Sequence, residues 1–204
     1  SFDGANRVMT SPDGITWTGR TAAAANGWHS VTYGNGLFVA VAENGLTGQV
    51  MTSPDGITWT SRNAGLNAWQ SVTYGDGMFV AVANSGTGRV MTSSNGITWR
   101  PRFAVQDSYY WNSVTYGNGL FVAVADSSAG RTLMTSPTGV DWDAQESAWT
   151  LDWQSVTYGN GVFVAVANSG TGNRVMTSGS LIPPPPATPT ATAGNAEATV
   201  TVAP

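Results

Sequence analysis

The sequence predicts an all-β fold built from repeated four-stranded antiparallel sheets, and three observations support this prediction. The first is a tandem repeat of about 42 residues, because Met-Thr-Ser motifs recur at spacings of 42, 40, 43 and 42. The second is a strand pattern that is copied from repeat to repeat. The third is that the repeats show no apolar period of 3.6, so no helix is predicted. The Met-Thr-Ser motifs are preceded by Val8, Val50, Val90, Leu133 and Val175.

Each repeat contains four predicted strands, which we name A to D in chain order. In one repeat they are Trp69–Tyr74, Met78–Ala83, Arg89–Thr92 and Ile97–Arg100. Strand A is rich in aromatic and β-branched residues, and strand B is an apolar run of strand length. The A–B connection contains Asp76-Gly77, a pair that favours the positive φ angles of a two-residue hairpin turn. Gly- and Ser-rich segments connect B to C and C to D.

The strands carry apolar or small residues on both faces, which limits the possible architectures. Phe38, Ala40 and Ala42 alternate with Val39 and Val41, so the sheet must be covered on both sides. Radial stacking of similar sheets covers both faces and leaves only short edges. A β-sandwich would instead show polar outer faces, and a parallel β-helix would have a much shorter repeat. The predicted fold is therefore a β-propeller of four-stranded antiparallel blades.

The order of the predicted strands gives the number of blades. Along the chain the strands are CD, ABCD, ABCD, ABCD and ABC, so the sequence begins in the middle of a blade. We predict four blades with terminal strand closure, in which the N-terminal strands complete the last A–B pair and one C strand is spare. Two alternatives remain, because the chain could form part of a larger ring or complete a ring with a partner copy.

The turns between strands C and D carry a second motif, and we call these segments the box turns. They are Ser11–Trp17, Ser53–Trp59, Ser93–Trp99 and Ser136–Trp142. The pattern Ser-Pro-Asp-Gly-Ile-Thr-Trp resembles the Asp-box, or BNR repeat, of sialidase-like propellers, with one residue fewer between Asp and Gly. The resemblance covers residues 8–178 and implies that these residues are structural, since in that family the boxes lie away from the active site.

The box turns also have a local physical explanation. Asp, Asn and Ser side chains can bind backbone amides in a turn, and Gly can adopt positive φ. The Trp is expected to pack between neighbouring sheets. A metal-binding or catalytic role for Asp13 and Asp55 is the less favoured interpretation. The predicted structural residues are Ser11, Asp13, Gly14, Trp17, Ser53, Asp55, Gly56, Trp59, Ser93, Asn95, Gly96 and Trp99.

The C-terminal segment has a different composition from the repeats. Pro183 to Pro186 form a run that is typical of a stiff polyproline II linker. The residues that follow resemble the first strands of a fibronectin type III domain, through the Ala-Thr-Val-Thr segment at 198–201. We therefore predict two regions: a propeller domain over residues 1–181, and a linker with the start of a fibronectin type III-like segment over 182–204.

Composition excludes several classes of function. All eight basic residues are Arg, twelve residues are acidic, and the net charge is -4, which does not favour nucleic acid binding. No apolar run approaches the roughly 20 residues of a membrane span. The chain has no Cys and one His, so it lacks the residues for thiolate or His-rich metal sites. We expect no cofactor, no metal and no membrane insertion.

The most variable segments of the repeats are the D–A connections, whereas the A–B turns are almost identical. These connections are Thr18–Gly27, Thr60–Ala68, Arg100–Tyr110 and Asp143–Asp152. Variation on one face over a constant scaffold is typical of a binding surface, although neutral drift in surface loops would look similar. Tyr109 and Trp149 could also pack over the blade edge as core. The candidate ligand-binding residues are Arg62, Arg100, Arg102, Asp107, Tyr109, Tyr110, Trp149 and Asp152.

Two other repeated positions carry residues that are suited to binding or catalysis. Trp28, Trp69, Trp111 and Trp153 could form sugar-binding platforms, but packing between blades is the favoured interpretation. The Arg that begins strand C recurs at Arg7, Arg89, Arg131 and Arg174, and it suits hydrogen bonds to loop carbonyls better than a catalytic Arg triad. The sequence shows no paired carboxylates on inner strands, so catalysis is not expected.

The sequence therefore favours a secreted or cell-surface binding and adhesion module of bacterial type. It would recognise a glycan or a protein surface ligand through the variable face. One alternative is an assembly subunit that self-associates through its incomplete blades, terminal strands and tail. Another alternative is a sialidase-like glycoside hydrolase.

Overall fold

The protein is described by a computed structural model, which defines residues 6–45, 47–106, 108–126 and 132–179. These residues form seventeen β-strands and contain no helix. The predicted linker and fibronectin type III-like segment lie outside the described residues. The strands are β1 Val8–Thr10, β2 Thr18–Arg20, β3 Trp28–Gly34, β4 Leu37–Ala42, β5 Val50–Ser53, β6 Thr60–Arg62, β7 Trp69–Gly75, β8 Met78–Ala83, β9 Val90–Ser93, β10 Arg100–Arg102, β11 Tyr110–Gly117, β12 Leu120–Asp126, β13 Leu133–Ser136, β14 Asp143–Gln145, β15 Trp153–Gly159, β16 Val162–Ala167 and β17 Val175–Thr177.

The strands pair in the order that the repeat predicts. Three antiparallel sheets have four strands each: β3 to β6, β7 to β10 and β11 to β14, which we call blades 1, 2 and 3. Blade 4 has three strands, β15 to β17, and β1 and β2 form a separate two-stranded sheet, the half-blade. The A–B turns have the predicted positive φ angles, for example 46° at Asp76 and 74° at Gly77. The all-β fold with four-stranded antiparallel blades is thus confirmed.

Strand D begins later than the sequence predicted. We expected it at Ile97–Arg100, but β10 covers Arg100–Arg102. The reason is that the side chain of Asn95 accepts hydrogen bonds from the amides of Ile97 and Thr98, both at 2.9 Å. Those amides therefore belong to the box turn and cannot donate to strand C.

Every strand A contains a β-bulge directly after its Trp. The register shifts between Trp28 and Ser30 in β3, and the same shift occurs in β7, β11 and β15. A bulge adds one unpaired residue and bends the strand. In β3 that residue is His29, whose Nδ1 lies 3.0 Å from the carbonyl oxygen of Gln70 in blade 2. The bulge thus directs a polar side chain at the neighbouring blade.

The hydrophobic core lies between blades rather than within them. Val39, Val41 and Val50 of blade 1 pack against Trp69 and Phe79 of blade 2. Equivalent residues form the cores between blades 2 and 3 and between blades 3 and 4. Strand A of each blade packs on strand A of the next, so β3, β7, β11 and β15 follow one another along the inner edge. Such side-by-side stacking of sheets is the arrangement of a β-propeller.

The predicted closure of the last blade by the N-terminal strands is wrong for this structure. The half-blade pairs with neither β15 nor β16, because β17 already occupies the edge of β16. Strands β1 and β17 have the same sequence, Val-Met-Thr, so they would compete for that edge. The four blades therefore form an arc, with the half-blade at one end and the three-stranded blade 4 at the other.

Candidate binding face and the ends of the arc

The D–A connections and the B–C loops lie on the same face of the arc, which we call the loop face. Asn26, before strand A of blade 1, donates from Nδ2 to the carbonyls of Thr47 and Gly48 in the B–C loop. Asn67 makes the equivalent bonds to Thr87 and Gly88 in blade 2, both at 3.0 Å. These repeated bonds hold the variable connections on a fixed base.

The Arg before strand C supports this base, as the sequence indicated. Arg7 donates from Nη1 to the carbonyl of Asn26 at 2.9 Å, and Arg174 donates from Nε to the carbonyl of Gly170 at 2.7 Å. Arg89 donates to the carbonyls of Gly86 and Tyr109. The expected bonds to loop carbonyls are present at all three positions, and Arg131 lies outside the described residues.

Three of the predicted ligand-binding Arg residues lie on strands instead of in connections. Arg62 and Arg102 are on β6 and β10, and each Nε donates to a Thr hydroxyl on the adjacent strand C, at 2.9 and 3.1 Å. Arg20 makes the same bond, so this is a feature of the repeat. Arg100 is exposed and lies at the end of β10 that adjoins the box turn.

The D–A connection that precedes blade 3, which we call the blade 3 connection, places Tyr110 against Arg89 of blade 2 on the loop face. The guanidinium of Arg89 lies over the ring of Tyr110, 5.6 Å from its centroid, and 53% of Tyr110 is exposed. Phe103, in the same connection, is 72% exposed. Tyr109 is half-buried and its ring contacts that of Trp111. Asp107, which was predicted in this group, lies outside the described residues.

Blade 4 contributes Trp149 and Asp152, which were predicted as site residues. Trp149 is 47% exposed, and its carbonyl accepts hydrogen bonds from Ser147 and from the indole of Trp153. Asp152 lies beside Asp126 at the end of β12, and the two carboxyl groups share a hydrogen bond. Burial raises the pKa of Asp126, and this hydrogen bond and the charge of Asp152 raise it further. Sequence patterns could not predict this pair, because its members are 26 residues apart, one at the end of β12 and the other just before β15.

The box turns are closed by a repeated set of side-chain hydrogen bonds. In Ser53–Trp59, Asp55 accepts from the amides of Ile57 and Thr58, and the hydroxyl of Ser53 accepts from the amide of Gly56. The indole of Trp59 donates back to the carbonyl of Gly56 at 3.0 Å. These amide bonds lower the pKa of Asp55, and the same bonds in the first box turn lower the pKa of Asp13 to about 2.

The Trp residues of strand A are positioned as core rather than as sugar platforms. Trp69, Trp111 and Trp153 are buried between blades. Each indole donates a hydrogen bond to a carbonyl of the preceding connection, for example from Trp69 to Gly65 at 2.9 Å. Trp28 makes the same bond to Ala24 but is half-buried, because only the two-stranded half-blade covers the side of blade 1 that faces away from blade 2.

Two cavities accompany the incomplete blades. The first, of about 550 Å³, lies between the half-blade and blade 1, and its walls include Val8, Trp28, Val31, Phe38 and Met51. The second, of about 580 Å³, lies between blades 3 and 4, and its walls include Leu120, Val122, Phe163 and Met176. Both are mainly apolar, as expected where core residues lack part of their packing.

The described residues show neither a metal-ligand cluster nor a long apolar helix. No group of three or more His, Asp or Glu side chains in this part of the chain could hold a metal ion. Within the same ranges, the structure contains no helix that is long and apolar enough to span a membrane.

Comparisons with known proteins support the fold. No family model matches the chain, and no curated protein matches its sequence. Virginiamycin B lyase from Staphylococcus aureus is similar in structure, with a TM-score of 0.67 and 13% identity over 87% of this chain and 64% of the lyase. YCF48 bound to D1 peptide has a TM-score of 0.60 and 18% identity over 86% of this chain and 58% of YCF48.

A computationally designed protein, Ika4, is also similar, with a TM-score of 0.57 and 13% identity over 74% of this chain and 90% of Ika4. The chain thus spans about three fifths of YCF48 and of the lyase. At these identities the comparisons concern the fold alone. Together with the repeated antiparallel blades, they show that the chain has a β-propeller fold.

Proposed function

We propose that the chain is a non-catalytic binding module that recognises a glycan or another surface ligand through the loop face. The observation that carries this proposal is the contact between Arg89 and the exposed ring of Tyr110, with the exposed Phe103 in the same connection as Tyr110. The Asp-box resemblance and a secreted or cell-surface location belong to the same proposal.

The chemistry of this group favours a ligand with flat apolar faces and polar edges. Aromatic rings provide large contact areas at little cost in conformational entropy, and they are enriched in residues that dominate binding energy. Arg89 is fixed by two carbonyls, so its position over Tyr110 is established before a ligand arrives. Such a preformed surface reduces the entropy that binding must overcome.

The carboxylate pair does not fit a glycoside hydrolase of the common two-carboxylate type. Glycosidases of the common two-carboxylate type hold these groups about 5 to 9.5 Å apart around the scissile bond. Asp126 and Asp152 share a direct hydrogen bond, which leaves no room for a sugar between them. The pair therefore gives no support to a two-carboxylate hydrolase, and a sialidase with a Tyr nucleophile is addressed by the turnover assay below.

A printed array of sialylated, galactosylated and mannosylated glycans, followed by calorimetry with the best-bound glycan, tests the proposal. We expect the double variant Phe103→Ala/Tyr110→Ala to bind at least about tenfold more weakly, a loss of about 1.4 kcal/mol. Leu66→Ala is the matched control, because Leu66 is exposed in the blade 2 connection and lies outside the aromatic group. Unchanged affinity in the double variant would show that this face is the wrong one. Turnover of chromogenic sialosides would contradict the non-catalytic assignment.

A further inference from the structure

The contact that joins neighbouring blades is repeated three times and is left open at both ends of the arc. The ring of Tyr74 in blade 2 covers Gly34 of blade 1, and a Cβ atom at Gly34 would overlap that ring. Tyr116 covers Gly75 in the same way, and Tyr158 covers Gly117. Gly159 of blade 4 has no heavy atom within 4 Å of a built Cβ, and Tyr33 of blade 1 is exposed. One half of the same contact is therefore available at each end.

A hydrogen bond between strands A follows the same rule. The hydroxyl of Ser30 accepts from the amide of Val72 at 3.2 Å, and Ser71 and Ser113 accept from Val114 and Val156. In the part of the chain that the structure describes, Ser155 and the amide of Val31 do not take part in such a bond. The ends of the arc thus carry an unused acceptor and its matching donor.

The apolar residues at the two ends are also exposed only there. Val31 is 60% exposed, whereas Val72, Val114 and Val156 at the same position are between 4% and 7% exposed. At the other end Val166 is 43% exposed, whereas Val41, Val82 and Val124 are fully buried. Both surfaces would be core if another blade covered them.

The two cavities show what is missing from each end. The first is lined by Trp28, Val31, Phe38, Ala40 and Met51. The equivalent residues of blade 2 pack on the strand B and C valines of blade 1. Val8 of the half-blade already supplies the strand C valine. The space that remains has the position of strands A and B.

The second cavity lies where a strand D and its box turn would complete blade 4. It is lined by Leu120 and Val122, at positions equivalent to Leu37 and Val39, which lie against Gly96 of a box turn. Blade 4 has no strand D in the described residues. The half-blade has such a strand and a box turn, in which Gly14 has no neighbour within 4 Å of a built Cβ and Trp17 is exposed.

We propose that two copies of this chain bind head to tail and build a shared blade at their junction. Strands β15 and β16 of one copy supply A and B, and the half-blade of the next copy supplies C and D. Strand β1 takes the place of β17. Both strands have the sequence Val-Met-Thr, so β1 can pair in the same register with Val166, Ala165 and Val164 of β16. Tyr33 of one copy then covers Gly159 of the other, and the Val31 amide donates to Ser155.

A second copy fits better than closure within one chain. The three contacts between blades are tight, since even a Cβ at the interface Gly residues would overlap a Tyr ring. In the single copy β1 and β2 form a sheet separate from β15 and β16, so closure within one chain would require a change at one or more of these interfaces. A head-to-tail interface between copies needs no change in them, and it either closes into a ring or extends as a filament. The residues that carry the proposed function, Phe103, Tyr110 and Arg89, belong to blades 2 and 3 and the connection between them, away from both ends of the arc, so the inference is independent of the proposed function.

The first test is the mass in solution, measured by analytical ultracentrifugation from 1 to 200 µM. We expect species of at least twice the mass of the chain that dissociate on dilution. Gly159→Ala should abolish them and leave the monomer folded, because its Cβ meets nothing in a single copy. Gly65→Ala is the matched control, because the nearest atom to its Cβ is in the ring of Trp69 at an ordinary contact distance of 4.0 Å and Gly65 lies outside the proposed interface, so it should associate normally. A strict monomer at 200 µM, or association that survives Gly159→Ala, would overturn the proposal.

The second test uses the absence of Cys from the chain. Variants Tyr33→Cys and Gly159→Cys, one of them tagged, are mixed and oxidised. The proposal predicts a mixed disulfide-linked dimer, well above the yield from Tyr33→Cys with Gly65→Cys. The double variant Tyr33→Cys/Gly159→Cys at nanomolar concentration separates the two geometries. A cross-linked monomer there, or no mixed dimer above the control, would contradict association between copies.

Discussion

At the residue scale, the same side chain has different effects in different parts of the repeat. Asp55 accepts two backbone amide bonds, which stabilise its ionised form. Asp126 faces Asp152 instead, and burial and this neighbour disfavour its ionised form. Both are Asp residues in a chain of low charge, and their burial and their partners distinguish them. The box-turn carboxylates are therefore structural acceptors, and their titration reports on the turns.

The pH dependence of stability follows from this difference. Because the pKa of Asp55 in the folded chain lies below its ordinary value of 3.8, the stability from these bonds is present above pH 3.8 and is lost as the pH falls below it. Asp13, with a pKa of about 2, acts in the same direction. We expect the melting temperature to fall between pH 4 and pH 2, as measured by circular dichroism.

Asp55→Asn separates the titration from the hydrogen bonds. The third box turn already has Asn95, whose side chain accepts the same two amide bonds without titrating in this range. The variant should melt close to the unmodified chain at pH 6 and lose less between pH 4 and pH 2. An equal loss in both proteins would show that the box-turn carboxylate does not contribute.

At the scale of the element, the sequence predicts some strands better than others. Strand B of blade 2 has the predicted bounds Met78–Ala83, because an apolar run between two turns depends on local pattern alone. Strand D was misplaced, because the amides of Ile97 and Thr98 bind a side chain rather than a strand. The bulge at His29 was not predicted, since a bulge depends on which residue its partner strand places opposite.

In the candidate site, too, the features that depend on local sequence pattern were predicted and the contacts between distant elements were not. Pattern placed the variable connections on one face, and their bonds to the B–C loops agree with that prediction. The Arg89–Tyr110 contact and the Asp126–Asp152 pair were missed, because each joins residues from different elements whose distance is set by tertiary packing. Arg62 was expected in a connection but lies on a strand, which follows from the late start of strand D.

The Gly at the end of strand A allows the Tyr ring of the next blade to approach the backbone closely. Gly117→Ala places a Cβ against the ring of Tyr158, so the blade 3–blade 4 interface must open or the ring must move. Overpacking of this kind costs about 1–3 kcal/mol. We expect the free energy of unfolding of Gly117→Ala, measured by urea denaturation, to be lower by that amount, with a correspondingly lower urea midpoint.

The matched control for this prediction is Gly159→Ala. It makes the same change at the same place in the repeat, where no blade follows in the single copy. Measured at a concentration where the chain is monomeric, it should unfold like the unmodified protein. Backbone entropy alone would stabilise both variants, because Ala restricts the unfolded chain more than Gly does. An equal loss of free energy in both variants would show that the Tyr contact is not its cause.

At the scale of the whole molecule, the arc is a linear series of blades in which each blade packs only on its neighbours. In such repeat architectures, stability is close to a sum of nearest-neighbour interfaces. Blades 2 and 3 are covered on both faces, whereas the half-blade and β17 are largely exposed. Stability should therefore be highest in the middle of the arc and lowest at its ends.

Hydrogen exchange measured by mass spectrometry tests this gradient. At low micromolar concentration, amides of β1, β2 and β17 should exchange at least about tenfold faster than those of β8 and β12, because fewer buried contacts must open to release them.

The shared blade adds a second expectation for hydrogen exchange. When the concentration rises to 200 µM, protection should increase in β1, β2, β3, β15 and β16, while β17 should stay fast because β1 replaces it. Gly159→Ala removes the shared blade and should abolish this increase without changing β8 or β12. Uniform exchange along the chain would contradict the gradient, and a rise in protection confined to the loop face would place the contact between copies elsewhere.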